Sequence, residues 1–435
     1  MATGISKTFW AKEAASVETF LPDDFYPVWS NRSDHSNRLF YGENLSVLRD
    51  LVADESIREK VSLIYIDPPY STNTIFQTRQ QEDAYTDLLQ GDDYVSFMGD
   101  RLQLMRELLS EEGSIFVHLD ANMVFHVKVL MDDIFGRGNF RGMITRQKCR
   151  PKNYTKKTFG NISDYILYYS KSVNPIWNRP LAEWTDEKML KEYQCVDEKG
   201  RRYKKVPIHA PGVRNGSTGT EWRGMMPPPG KHWQYTPEKL DEFDARGEIY
   251  WSANGNPRRK VYWDANGGIP IQDIWLDCID AANQNTVITG YPTEKNPLIL
   301  KRIIEASSNE GDLVLDCFAG SGTTLTVASE LGRRWIGVDC SETAIRTILN
   351  RFKYGSKPMG DYVQKSSKKN ADLFDGLYGG SVNPKRNSNG HNVINNFSFY
   401  IPTGLESSFD DVLENLITSI NDSALSSELQ APKAL

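Results

Sequence analysis

Apolar residues fall along this chain in short runs separated by amphipathic stretches. Residues 38 to 51, RLFYGENLSVLRDL, read as a strand, a glycine turn and a helix. Leu63, Ile64, Tyr65 and Ile66 form an unbroken apolar run, the pattern of a strand buried on both faces. Residues 71 to 91 are polar and irregular and read as an exposed, mobile loop. Phe97, Leu102, Met105, Leu108 and Leu109 recur at helical spacing, which predicts a helix over 92–111. GSIFVHLD (113–120) predicts a strand, 121–135 an amphipathic helix, and NFRGMITRQ and SDYILYYSKS two more strands, read as antiparallel. Between about 150 and 290 helical periodicity is lost, and prolines, glycines and tryptophans accumulate. Regular order returns with a helix over 296–308, a strand over 312–318, a helix over 322–332, a strand over 334–341 and a helix over 342–352. That alternation predicts a parallel sheet with covering helices. Beyond 353 a polar, Gly/Asn/Ser-rich stretch reads as a linker. After it, Phe409, Val412, Leu413, Leu416, Ile417 and Ile420 repeat at helical spacing. That face docks on its own core or, in the lesser alternative, on a second copy of the chain.

Composition narrows the class. With 435 residues, 39% apolar and 11% aromatic, the chain is globular and long enough for two or three lobes. No apolar run approaches the roughly 18 residues of a membrane helix, and residues 1–16 lack the apolar core of a secretion signal. A soluble, intracellular protein is expected. The five cysteines are scattered without a C-x-x-C pair, and the six histidines show no ligand spacing, so neither disulfides nor a metal site is expected. Of His118 and His126, the one is expected at a strand end and the other on a helix. The net charge is −6, yet residues 141–205 hold 16 basic and 7 acidic residues. Such a segment suits either a nucleic-acid face or a solvated basic surface.

Two loops bear chemistry. In the first, the strand ending at Ile66 runs directly into Asp67, Pro68, Pro69 and Tyr70. Consecutive prolines remove two donors, fix two φ angles and hold the residues before them extended. A stiff edge results, bearing a carboxylate, carbonyl acceptors and a ring. In the second, LDCFAGSGTT (315–324) is a glycine-rich turn from a strand into a helix, with Asp339 at the end of the next strand. Gly320 and Gly322 let a ligand approach the backbone, and Asp339 can accept both hydroxyls of an adenosine ribose. Leu325 replaces the third glycine of a dinucleotide fingerprint, and Asp316 repels a pyrophosphate. An acid there suits a ligand with an ammonium group and no phosphate, and S-adenosylmethionine has that group and a cationic sulfonium.

DPPY (67–70) preceding FAGSG (318–322), with a tryptophan-rich insert between them, resembles the amino-group DNA methyltransferases of the β arrangement. NGNPRRKVYWDANGGIPIQDIW, within the insert, resembles type III-like modification subunits. TGYPTEKNPLILKRIIEASSNEGDLVLD (289–316) resembles the family segment that leads into the cofactor strand, with Asn296 where proline is usual. FYGENLSVL (40–48) resembles the early cofactor-side motif. The likeness covers about 38–352.

The resemblance implies an α/β fold: a doubly wound, mostly parallel Rossmann-like methyltransferase sheet with an inserted target-recognition domain. The expected segments are a catalytic half (1–149), the insert (150–290), a cofactor-binding half (291–355) and a linker with a C-terminal helical segment (356–435). The implied activity is methyl transfer from S-adenosylmethionine to adenine N6 in duplex DNA after base flipping, because aspartate heads DPPY. Cytosine N4 is the nearest alternative, methylation of structured RNA a second, and a non-catalytic DNA-binding partner with the same fold a third. Asp67, Pro68, Pro69 and Tyr70 are the expected catalytic residues, with Tyr70 stacking on the flipped base. Asn44, Thr293, Lys295, Asp316, Phe318, Ala319, Gly320, Ser321, Gly322, Thr323 and Asp339 are expected to hold the cofactor. Arg146, Lys148, Arg150, Lys152, Lys156 and Lys157 are candidates for DNA phosphates. Expected partners are double-stranded DNA, a second copy of the chain and a restriction endonuclease subunit. The expected location is bacterial or phage cytoplasm, at the nucleoid.

Overall fold

The computed structural model describes residues 25–30, 37–69, 74–77, 83–87, 91–151, 157–264, 267–280, 287–289, 291, 294–355, 357–358, 396–402 and 409. Tyr70, Lys152, Lys156, Thr293 and the helical repeat from Val412 to Ile420 lie outside them. The chain divides into two compact units, one formed by residues up to Arg179 and from Gln272 onward, the other by Pro180–Ile271. The second unit lies within the 150–290 expected for the insert but is shorter at both ends, because the segments flanking it pair into the first unit's sheet.

The first unit is built on a ten-stranded sheet. In chain order its elements are β1 (Phe25–Ser30), β2 (Arg38–Tyr41), α1 (Asn44–Ala53), β3 (Val61–Ile66), β4 (Thr74–Gln77), β5 (Asp83–Asp87), α2 (Gly91–Leu108) and β6 (Leu109–Leu119). Then come α3 (Val124–Phe135), β7 (Phe140–Gln147), β8 (Ser163–Ser170) and β9 (Ile274–Trp275). The last are α4 (Pro297–Ser307), β10 (Leu313–Asp316), α5 (Thr323–Glu330), β11 (Arg334–Asp339), α6 (Glu342–Tyr354) and β12 (Ser398–Pro402). The strands lie in the order β1-β12-β2-β11-β10-β3-β6-β8-β7-β9. From β2 to β6 neighbouring strands are parallel, β6 and β8 are antiparallel, and so are β8 and β7.

The central strands are apolar because helices cover both faces of the sheet. All six residues of β3 and all four of β10 are buried. Val61, Ile64 and Ile66 of β3 and Leu313 and Leu315 of β10 meet Val47, Leu48 and Leu51 of α1 and Met98, Leu102 and Met105 of α2 in one apolar core. Side-chain caps set the starts of α1, α4 and α6. The Glu43 carboxylate accepts from Ser46 N at 3.0 Å ahead of α1, and Ser341 caps α6. Asn296 caps α4, with Pro297 at the first helical position, where its missing N–H costs nothing.

Three expectations are corrected. The stretch expected as an irregular loop contains β4 and β5, paired antiparallel with Thr74 opposite Asp87. Residues 396–402, expected in the linker, supply β12, which joins the sheet between β1 and β2. Phe409 is buried there, with its ring against Tyr41 and Phe399 at 5.1 and 5.4 Å. The insert, in which helical periodicity was unseen, contains helices Asp186–Glu192 and Pro237–Ala245. The second of these packs Leu240 and Phe243 onto Ile208, Trp222, Trp233 and Ile249 in a small separate core. No helix among the described residues is long and apolar enough to cross a membrane.

Candidate active site

The sheet reverses its winding between β10 and β3. From β3 the chain moves outward to β6, while from β10 it moves the other way to β11. Because these strands are parallel and in register, with Leu315 opposite Ile64 and Asp316 opposite Gly337, their carboxyl ends form one edge. Open α/β sheets bind ligands at that crevice. Asp67 follows β3 there, Asp316 ends β10 and Asp339 ends β11.

The glycine turn is held from three sides. Asp339 accepts from Gly320 N at 2.8 Å and from Ser341 N at 2.9 Å. Its own carbonyl accepts from Gly42 N at 3.0 Å, so the tip of β11 fastens the β10–α5 turn and the β2–α1 turn together. From α1, Asn44 Nδ2 donates to the Cys317 carbonyl at 2.9 Å, and Asn44 Oδ1 accepts from Arg101 Nε at 2.6 Å. The amide of Asn44 thus faces the turn's backbone. Arg101 lies over the Phe97 ring, 3.5 Å from its centre, and that ring neighbours Phe318. From α6, the buried Arg351 Nη1 donates to Thr323 Oγ1 at 2.9 Å and the Ser321 carbonyl at 3.2 Å, and pairs with Glu294 at 3.0 Å. Glu294 in turn accepts from the N–H and hydroxyl of Thr289 at 2.7 and 2.6 Å. Gly322 starts α5 at φ 73°, a conformation that disfavours a side chain. A Cβ there would also come within 2.9 Å of Ile348.

Burial shapes the acids of this edge. Asp316 is fully enclosed and accepts from Phe318 N at 3.0 Å. Desolvation, reinforced by the charges of Asp67 and Asp339, pushes its carboxyl up to about 7 despite hydrogen bonds from Thr324 and Phe318. Desolvation also raises Asp339, against the backbone N–H groups that bond it. Asp67 follows β3 and Asp316 ends the neighbouring β10, so the two carboxyl groups share this edge.

Lys295, expected among the cofactor residues, has its Nζ against the Asp67 carboxylate in a mostly enclosed ion pair. The next residue, Asn296, opens α4 and anchors Lys295. Its Nδ2 donates to the Ile279 carbonyl at 2.8 Å and its N–H to Asp280 at 3.1 Å.

Asp280 belongs to a buried polar chain that sequence reasoning missed. The Tyr65 hydroxyl and His118 Nδ1 are 2.7 Å apart, and His118 Nε2 lies 3.0 Å from Asp164. Arg146 then grips Asp164 with two hydrogen bonds of 2.6 and 2.9 Å and reaches Asp280 at 2.8 Å. Burial opposes ionisation of Asp164, yet His118 and Arg146 hold its carboxyl well below the usual range. His118 is therefore a buried strand residue, as expected of one at a strand end. Arg146, expected on phosphates, is corrected: its side chain is 1% exposed and its charge is met by Asp164 and Asp280. Of the other phosphate candidates, Lys148 is half-buried, and Arg150 and Lys157 are exposed. A signal for the chain was present: an aspartate interrupts the apolar strand SDYILYYS, and such an acid needs a partner.

A profile of the family described as DNA methylase matches residues 61–350. The type II methyltransferase M.EcaI of Enterobacter cloacae is 50% identical over 364 residues, covering 84% of this chain and 76% of that protein. The StyLTI Mod subunit of a Salmonella typhimurium type III restriction-modification enzyme is 28% identical over 74% of this chain and 54% of its own length. The crystal structure of an M1.HpyAVI–SAM complex aligns over 72% of this chain and 98% of its own, with a TM-score of 0.40 and 14% identity. With the profile spanning both loops and a half-identical relative covering most of its length, the chain belongs to the DNA methylases, enzymes that methylate DNA with S-adenosylmethionine.

Proposed function

We propose that this protein methylates the exocyclic N6 of adenine in duplex DNA, with Asp67 and the Pro68 carbonyl as the acceptors of the amine protons. The observation that supports this most is the placement of Asp67 at the tip of β3, directly beside the glycine turn at the tip of β10. S-adenosylmethionine supplies a methyl group on a cationic sulfur. Residues at the β10 and β11 tips suit its adenosyl and amino-acid parts. Asp339, which braces the glycine turn, is the candidate acceptor for the ribose hydroxyls, and Asp316, an enclosed carboxyl pushed up by burial, gains from a neighbouring ammonium. Phe318, Ala319, Gly320, Ser321, Gly322 and Thr323 form the cradle, and Asn44 holds it in shape.

An adenine amine is a weak nucleophile because its lone pair is delocalised into the ring. On attack its nitrogen becomes tetrahedral and positive, and its two N–H bonds need acceptors already in position. Pro68 and Pro69 fix that edge and remove competing donors. Lys295 pairs with the Asp67 carboxylate and orients it. The amine is reached only after the base leaves the stack, at a cost of a few kcal/mol. A type III Mod subunit among the relatives supports a restriction endonuclease as partner. A second copy of this chain is a further candidate.

The test is transfer of labelled methyl from S-adenosylmethionine to duplex DNA, followed by nucleoside digestion. N6-methyl-2′-deoxyadenosine in the digest is the expected product. N4-methylcytosine would move the activity to cytosine, and label only in structured RNA would overturn the DNA assignment.

A further inference from the structure

The second unit contains a four-stranded antiparallel sheet in the order Cys195–Val196, Arg202–Pro207, Pro257–Tyr262 and Ile249–Trp251. Its two faces treat positive charge differently. On one face, two of the three cations have acids and the third, Arg202, donates to the Tyr193 carbonyl at 3.4 Å. Lys204 pairs with Glu192 at 2.8 Å and Arg259 lies 3.8 Å from Glu248, while Ile249 joins Leu240 and Phe243 of the helix covering that side. On the other face, Lys205 stands directly opposite Lys260, and Arg258 opposite both Pro207 and Tyr250. Among the described residues none of these three cations has a carboxylate within 4.0 Å. The acid at the edge of this face, Asp197, is held by Arg201 at 2.8 Å.

Like charges directly across a ladder oppose folding. Here tyrosines separate them. Lys205 lies over the Tyr250 ring at 3.6 Å and Lys260 over the Tyr203 ring at 5.5 Å. Rings beneath ammonium groups hold them upright without neutralising them, leaving their charge available to an anion. Arg258 is exposed, and Lys205 and Lys260 are half-buried. The positive field reaches the neighbouring ladder: burial and the charges of Lys231 and Arg258 depress His209 below its ordinary value.

We propose that this face, through Lys205, Arg258 and Lys260, docks on the phosphate backbone of the DNA that the enzyme methylates. The inference rests on the DNA methylase reading and shifts the main electrostatic contact from the segment around Arg146 to the second unit's sheet. Phosphate contacts of this kind set register and leave base reading to other residues.

The experiment compares the full-length protein with the triple variant Lys205→Gln, Arg258→Gln and Lys260→Gln. Duplex affinity is measured across a salt series, with S-adenosylmethionine binding as the check on the intact first unit and circular dichroism as the check on the second. Each phosphate contact contributes about 0.9 to the slope of log affinity against log salt. The variant is expected to lose about 2 to 3 from that slope and at least about tenfold in affinity. Its cofactor binding should stay native. A native slope and affinity in a folded triple variant would overturn the assignment of this face alone. Absence of duplex binding by the unmodified protein would overturn the DNA reading, and the face with it.

Discussion

Asp67 has two neighbours of opposite sign at the edge of the sheet: Lys295 in direct contact and Asp316 in the next loop. The cation orients it and the buried acid repels it. Removing it should leave the backbone edge standing, since Pro68 and Pro69 fix that edge themselves. Asp67→Ala is expected to lower methyl transfer by at least about 10²–10³-fold while duplex affinity stays within a few-fold; turnover near native would remove Asp67 from the chemistry. Asp316 makes a prediction in pH. Its folded value near 7 lies above the ordinary 3.8, so burial favours its neutral form. What this group adds to stability is complete below the ordinary value and is lost as pH rises through about 7. A bound ammonium reverses the preference, because it favours the ionised form. S-adenosylmethionine affinity, measured by calorimetry between roughly pH 6 and 7.5, should therefore rise by up to about tenfold per unit below the folded value and then level off. Asp316→Asn should bind more weakly and remove this rise, whereas an unchanged profile would show that Asp316 does not face the cation.

At the scale of elements, the Tyr65–His118–Asp164–Arg146–Asp280 chain crosses β3, β6, β8 and β7 and ends at Asn296, the cap of α4 and the neighbour of Lys295. Arg146→Ala would leave Asp164 and Asp280 facing each other in a poorly solvated space, at a cost of about 3–5 kcal/mol. The expected result is a lower denaturant midpoint, with turnover falling through displacement of Lys295. A native midpoint would mean that the chain relaxes without its arginine. This element also shows what a sequence does and does not reveal. The central βα units were legible because strands covered on both faces must be continuously apolar, and their tips were legible because DPPY and the Gly-x-Gly turn, weak singly, occur together with acids at the strand ends. The pairing of Arg146 with Asp164 was not, since it depends on a ladder register between strands separated by an intervening loop. Without that register a basic residue in a basic segment reads as surface. β12 was illegible for a related reason: five residues after a polar stretch become a strand only because β1 and β2 offer edges to pair with.

At the scale of the whole molecule, the second unit enters and leaves the chain at a single point. Ile271 N donates to the Pro180 carbonyl at 3.1 Å, and Leu181–Ala182 pairs antiparallel with Ile269–Pro270. Its first and last residues are thus adjacent, and joining them by a short turn closes the chain without stretching it. The cost of loop closure changes only slowly with length, so replacing some ninety residues by a few does not by itself destabilise the rest. The glycine turn is braced by α1, β11 and α6, and Asp67 by Lys295 at the start of α4, all of the first unit. A variant in which residues 182–269 are replaced by a two-glycine turn should therefore bind S-adenosylmethionine within a few-fold of the native protein. It should also lose measurable methylation of duplex DNA, since the proposed phosphate-docking face leaves with the excised unit. Calorimetry for the cofactor and labelled methyl transfer for the DNA separate the two effects. Retained methylation would place the main DNA contacts on the first unit. Lost cofactor binding in a folded variant would mean that the second unit helps to shape the cofactor turn.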